Sequence, residues 1–191
     1  SNFGYALLGR VIEKKTNKYL EKAARYAQRN FLNRQAIQYF EKLIRNLTEH
    51  NSKSKKLIKF QLRKGTVHEL IGQWEEAEQE YRLALKRAKS LNDWYLIGRG
   101  NRRLGQLLVL RGKYDEGKKH LDVAITCFEL ASDQVGMAKT YGNLGTYFFR
   151  QGSYESAQSW FAKAIEINRS LQRDAENAAI VANLGLIFMN Q

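Results

Sequence analysis

Apolar residues along the chain return at three- and four-residue intervals, the spacing of one face of a helix. Tyr19, Leu20, Ala23, Ala24 and Ala27 predict a helix from Asn17 to about Asn30. Ala36, Phe40, Leu43, Ile44 and Leu47 predict a second from about Arg34 to Glu49, and His50-Asn51-Ser52-Lys53-Ser54 reads as a loop. Before them, a mixed apolar segment from Phe3 to Ile12 reads as a lead-in helix or the remnant of a preceding unit. From residue 55 the pattern becomes periodic. First helices fall at about 55–71, 94–111, 134–151 and 175–190, second helices at about 74–91, 114–131 and 154–171.

The period is 40 residues. One glycine column runs Gly65, Gly105, Gly145, Gly185 and another Gly72, Gly112, Gly152, and a fixed step of this size marks an array of stacked units. The second column sits between helices, where glycine ends a helix in a left-handed conformation without a Cβ penalty. Two or three connecting residues leave each pair antiparallel. Small residues stand at Ala77, Gly117, Ala157 and at Ala84, Ala124, Ala164, with large ones between them at Tyr81, Leu121 and Phe161. Close helix approach at the small positions and filling at the large ones follows. Trp74, Tyr114 and Tyr154 form an aromatic column expected to pack at the turns.

These columns resemble the tetratricopeptide repeat. In one unit they are Leu104, Gly105, Leu108, Gly112, Tyr114, Gly117, Leu121 and Ala124; in the next, Leu144, Gly145, Phe148, Gly152, Tyr154, Ala157, Phe161 and Ala164. An earlier unit keeps Gly65, Gly72, Trp74, Ala77, Tyr81 and Ala84 but carries Lys64 and His68 in place of apolar residues. Ala36, Phe40 and Leu43 fit a first unit that lacks its glycine turn. Units are longer than the commonest form of the family, and Lys89, Glu129 and Arg169 replace the proline that usually closes the second helix. The resemblance implies an all-α fold, a right-handed α-solenoid of antiparallel helix pairs, with a lead-in at 1–16, units at about 17–53, 54–93, 94–133 and 134–173, and a half unit at 174–191. The run from Tyr19 to Ala27, followed by Ala36 to Phe40, resembles the entry into such arrays in bacterial proteins that join a nucleotide cyclase or transcription-regulator module to an ATPase. That likeness implies a regulatory segment of a larger signalling protein.

Composition sharpens this picture. Proline is absent from the 191 residues, consistent with long helices. The net charge is +13, and it is unevenly placed: residues 1–65 carry 16 basic and 4 acidic side chains (+12), residues 66–191 carry 16 and 15 (+1). The excess either solubilises a helix surface or serves binding near the N-terminal end. The single cysteine, Cys127, reads as a small buried thiol in a reducing, cytoplasmic setting. No membrane-spanning run and no signal peptide is read from the chain, so no membrane partner is expected.

Catalytic chemistry finds no candidate. There is no phosphate-cradling glycine loop, the histidines His50, His68 and His120 lack metal-ligand spacing, and no nucleophile-and-base pair can be assembled. A non-enzyme without cofactor or metal is expected. The polar columns of the first helices are more informative: Arg63, Arg103, Asn143 and Asn183 stand two before the repeated glycine, Lys59, Arg99 and Lys139 six before it, with Arg102 alongside. A separation of four places both columns on one helix face. In the tetratricopeptide family the first helices line a concave surface, so the resemblance implies a groove holding a protein or peptide, an acidic one given the arginines, which grip carboxylates in paired hydrogen bonds. The asparagines can instead satisfy neighbouring helix groups, with the arginines and lysines merely solvated. The alternative function is nucleic-acid binding through the basic N-terminal third, against which few aromatics are interleaved with the charges. The run Ala178 to Met189 carries no charge, and the sequence stops at Gln191, one residue before the next turn glycine falls due at 192. A longer parent chain and self-association through Leu186, Phe188 and Met189 are expected from it.

Overall fold

A computed structural model describes residues 2–50 and 54–189, with side chains from residue 11 onward except those of His50 and Phe188. The side chains of the apolar lead-in up to residue 10, the loop positions 51–53, and the Phe188 side chain therefore lie outside the described residues. The chain divides into two compact units, residues 1–87 and 88–191.

In the first unit, α1 (Asn2–Arg29), α2 (Asn33–His50) and α3 (Lys55–Leu70) pack in sequence, followed by α4 (Trp74–Ser90), which crosses the junction. Helix α1 runs unbroken through Thr16 and Asn17, so the expected change from lead-in to array has no backbone break. Ala24, Ala27, Ala36, Phe40, Leu43, Phe60 and Val67 form its core. In the second unit, α5 (Trp94–Leu110), α6 (Tyr114–Leu130), α7 (Gln134–Arg150) and α8 (Tyr154–Ser170) pack each on the next, and α5 also meets α7. A 3₁₀ turn (Asp174–Asn177) leads into α9 (Ala178–Met189), which lies against α7 and α8. The fold is an all-α solenoid of helix pairs, as the period implies.

One expected boundary shifts. The last first-helix begins at Ala178 rather than near residue 175. The helix-entry column holds Asp93 and Asp133, and the Asp93 carboxylate accepts from the Leu96 amide at 3.0 Å. Asp133 makes no such bond and α7 still starts regularly; the third member is Arg173, and there the segment starts as a 3₁₀ turn.

Within each pair the glycine of the first helix is where the second comes closest. A Cβ on Gly105 would lie 2.8 Å from the Gly117 carbonyl oxygen, and one on Gly145 2.4 Å from the Phe161 ring. The large column is fully buried at Tyr81, Leu121 and Phe161, and so are Ala77, Ala84, Ala124, Ala157 and Ala164. Each large side chain contributes about 1.5–3 kcal/mol relative to exposure. Tyr114 packs edge-on to Tyr147, and Tyr154 stacks obliquely on Phe149, while Trp74 stays partly exposed.

Two families of turn alternate. At Gly112, with φ +77°, the Lys113 amide reaches back to the Leu108 carbonyl at 2.9 Å, the six-to-one bond of a left-handed helix stop. Between pairs the same bond recurs from Asp133 to Phe128 and from Arg173 to Asn168, at 2.9 and 2.8 Å. There the left-handed residues are Asn92, Ser132 and Gln172. These stops take the place of the proline, and the second helices run on past Lys89, Glu129 and Arg169 before ending. The first pair has its stop too: Phe31 adopts φ 57°, and the Leu32 amide bonds to Ala27 at 2.9 Å.

The two polar replacements in α3 are also accounted for. Lys64, at 14 % exposure, pairs with Glu80 at 3.0 Å and Glu41 at 3.1 Å. Burial alone would lower its pKa; hydrogen bonds and charge from Glu80 and then Glu41 more than offset that and raise it. His68 is buried with its Nδ1 2.6 Å from Gln73 Oε1, tying the helix end to its turn.

Candidate functional site

The second unit contains a cavity of about 300 Å³ opening between α5, α7, the 3₁₀ turn and α9. Arg102, Lys139, Asn143 and Asn183, all drawn from the polar columns, line it together. Their convergence is a consequence of the period: successive first helices carry the same face inward, so residues 40 apart become neighbours. Arg103 belongs to the same electrostatic field, since its charge and those of Arg102 and Arg173 bear on Lys139.

That field is positive and partly dehydrated. Burial is the first cause that lowers the Lys139 pKa; Arg102, Arg173 and Arg103 add to it, and Glu176 opposes them. The Glu176 carboxylate stands 3.9 Å from Lys139 and accepts from Arg173 at 2.9 Å. An added carboxylate would relieve their repulsion.

A second signal is a missing partner. The Asn143 side-chain Nδ2 is shut away from solvent and has no hydrogen-bond partner in the protein. A buried donor left unmade costs about 1–3 kcal/mol. Asparagine held between helices for structural reasons looks different: Asn168 donates to Asn177 Oδ1 at 2.7 Å, and Asn101 donates to the Ile97 carbonyl while its Oδ1 meets His120 Nδ1. Asn143 lines the cavity with its Nδ2 hydrogen bonds unmade.

The remaining column residues do not enter this cavity. Arg99 lies over the Tyr95 ring with its guanidinium carbon 5.6 Å from the centroid. Lys59 and Arg63 belong to the first unit, where Arg63 donates to Gln28 Oε1 at 3.2 Å. Sequence reasoning passed over Gln106, Thr146 and Glu176, which also line the cavity. Gln106 and Thr146 stand one after Gly105 and Gly145, so a column signal for them existed; Glu176 sits in the irregular 3₁₀ turn and had none.

Cys127 is buried, and burial pushes its thiol pKa up, which keeps it protonated and unreactive. Among the described residues no helix is long and apolar enough to cross a membrane.

Residues 96–170 match the family model of the tetratricopeptide repeat. No curated protein sequence matches the chain. Among solved structures, BtubC (BKLC) from P. vanneervenii superposes with a TM-score of 0.77 at 17% identity, over 96% of this chain and 77% of that one. A Rap protein complexed with competence and sporulation factor gives 0.78 at 16% identity, over 92% and 52%. The Rap conjugation gene regulator of plasmid pLS20, in complex with the Phr* peptide, gives 0.66 at 18% identity, over 84% and 50%. The chain thus spans about half the length of the Rap proteins, and likeness at these identities speaks for the fold.

Proposed function

We propose that this chain, whose residues 96–170 match the family model of the tetratricopeptide repeat, is a non-catalytic scaffold that binds a protein or peptide, an acidic one, in the cavity lined by Arg102, Lys139, Asn143 and Asn183. The observation that carries this reading is the Asn143 Nδ2, without a hydrogen-bond partner in the protein, in a cavity lined by Arg102 and Lys139. An extended peptide can supply a backbone carbonyl for the amide and a carboxylate for Arg103 and Lys139. The Rap structure complexed with competence and sporulation factor and the Rap regulator in complex with the Phr* peptide lend support by likeness of fold. Arg99 on the second unit, and Lys59 and Arg63 on the first, belong to the proposal as partner contacts, each within its own unit. A regulatory role within a larger, cytoplasmic signalling protein is the context proposed for it. We further propose self-association through α9, where Val181, Leu186 and Met189 are exposed.

Arg103→Ala and Asn143→Ala are expected to weaken binding of an acidic peptide library by about tenfold or more, roughly 1.4 kcal/mol. Arg103→Ala should not shift stability by more than about 0.5 kcal/mol, and Asn143→Ala, which removes an unmade buried donor, should not lower it. Titration calorimetry together with a thermal melt checks both. A large loss of stability with binding intact would return the two residues to a structural role. Tighter binding to single- or double-stranded nucleic acid, falling steeply with salt, would favour the basic N-terminal third as the working surface instead.

A further inference from the structure

The first unit has a groove of its own, of about 540 Å³, and none of its lining residues belongs to the site proposed above. Lys14, Asn17, Lys18 and Glu21 of α1 form one wall, and Lys56 of α3 stands on another. Leu43, Leu47 and Phe60 supply the apolar interior, with Leu47 half-buried and the other two behind it. Asn17 accepts from Asn46 Nδ2 at 2.9 Å, which fixes α1 to α2 beside the groove.

The charge of this groove is unbalanced. Its one carboxylate, Glu21, is already paired with Arg25. Lys14, Lys18 and Lys56 are exposed, and among the described residues none stands within ion-pair distance of a carboxylate. Lys14 and Lys18 are one helical turn apart, about 6 Å along α1. An anionic amphiphile with a single headgroup would neutralise only one or two of the three cations. A helix with acidic residues at i and i+4 repeats the same spacing and can turn an apolar side chain toward Leu47. Nucleic acid fits less well, because the aromatic ring of the groove, Phe60, is only 4 % exposed and offers no face on which a base could stack.

We infer that the groove between α1, α2 and α3 is a second docking site, for an acidic amphipathic helix that places carboxylates at one-turn spacing against Lys14 and Lys18 and an apolar side chain over Leu47. The site is independent of the cavity in the second unit, and either can fail without the other.

The test uses the full 191-residue chain and a fluorescein-labelled helical peptide with Glu at i and i+4 around a central Leu. Its Gln-for-Glu counterpart, a thymidine oligonucleotide and phosphatidylserine vesicles serve as competing probes. Fluorescence anisotropy is expected to show a loss of tenfold or more for the double variant Lys14→Glu/Lys18→Glu, with circular dichroism unchanged. A peptide carrying Lys in place of its Glu residues should recover binding to that variant. Arg103→Ala/Asn143→Ala, in the second unit, should leave this affinity within twofold. The inference is overturned if the Lys14/Lys18 reversal changes affinity by less than twofold, if the Gln peptide binds equally well, or if the oligonucleotide or vesicles bind more tightly than the peptide and lose that binding on the same reversal.

Discussion

Glycines of one column, read as equivalent in sequence, differ in what an added methyl group would meet. At Gly105 the Cβ would press on the Gly117 carbonyl oxygen and the Leu121 side chain, and backbone cannot step aside. Overpacking of this kind costs about 1–3 kcal/mol, more than the gain of up to about 1 kcal/mol that alanine brings to a helix interior. At Gly185 nothing lies within 4 Å, so only the helix gain remains. Gly105→Ala is therefore expected to lower stability and Gly185→Ala to raise it, by up to about 1 kcal/mol, in urea titrations of the same chain. Lys64 offers a different residue-scale check. Its pKa is raised in the folded state by Glu80 and Glu41 despite burial. The linked stability is thus fully present below the ordinary lysine value of about 10.4 and is lost as pH rises through the raised one. Lys64→Met should flatten the stability profile over that alkaline window and leave its shape near neutrality unchanged; an unaltered alkaline limb would discount the pairing. That Lys64 departs from an apolar column was visible in the sequence. Its partners were not, because Glu41 lies 23 positions away on another helix, brought near only by packing.

At the scale of helices and turns, the 40-residue step foretold most of the architecture. Helix ends from residue 55 to 170 fall within a residue of expectation, and within pairs the glycine stops leave a mark in the sequence. The stops between pairs left none. Asn92, Ser132 and Gln172 share a left-handed φ but no residue type, since the six-to-one bond that fixes them is made by backbone. Phe31 shows the cost of that freedom: it holds φ 57° with its side chain 78 % exposed, so it gains little packing in return. A left-handed residue bearing a Cβ costs about 1–2 kcal/mol, while glycine adds roughly 0.5–1 kcal/mol of unfolded-state entropy. Phe31→Gly should therefore stabilise the first unit by up to about 1 kcal/mol, read as a higher melting temperature. A lower one would mean that the exposed ring contributes contacts the φ angle alone does not reveal. The candidate site was half legible at this scale. Columns two and six before the glycine brought Asn143, Asn183 and Lys139 to one cavity, whereas Glu176 came from the 3₁₀ turn that replaces a regular helix start.

For the molecule as a whole, charge and apolar exposure are segregated along the chain, and they predict different responses to salt. Residues 1–65 carry +12, whereas α9 carries no charge and turns two faces to different uses. Ile180, Leu184 and Ile187 pack toward Phe161, while Val181 and Met189, eight apart, stay 56 and 83 % exposed with Gly185 between them. Residues spaced by four share a helix face, so these three form a shallow apolar stripe on which a second copy of the chain can lie. Association through the stripe should persist or strengthen as salt rises from about 0.05 M to about 0.5 M, because no charge is screened. Binding of an acidic partner by the lysines and arginines should weaken over the same range. Sedimentation velocity at micromolar concentration is expected to show a dimer or larger assembly, reduced to monomer in Val181→Glu/Met189→Glu. A strict monomer for the unmodified chain would defeat the α9 interface, and an assembly that dissolves with salt would move it to the charged N-terminal third.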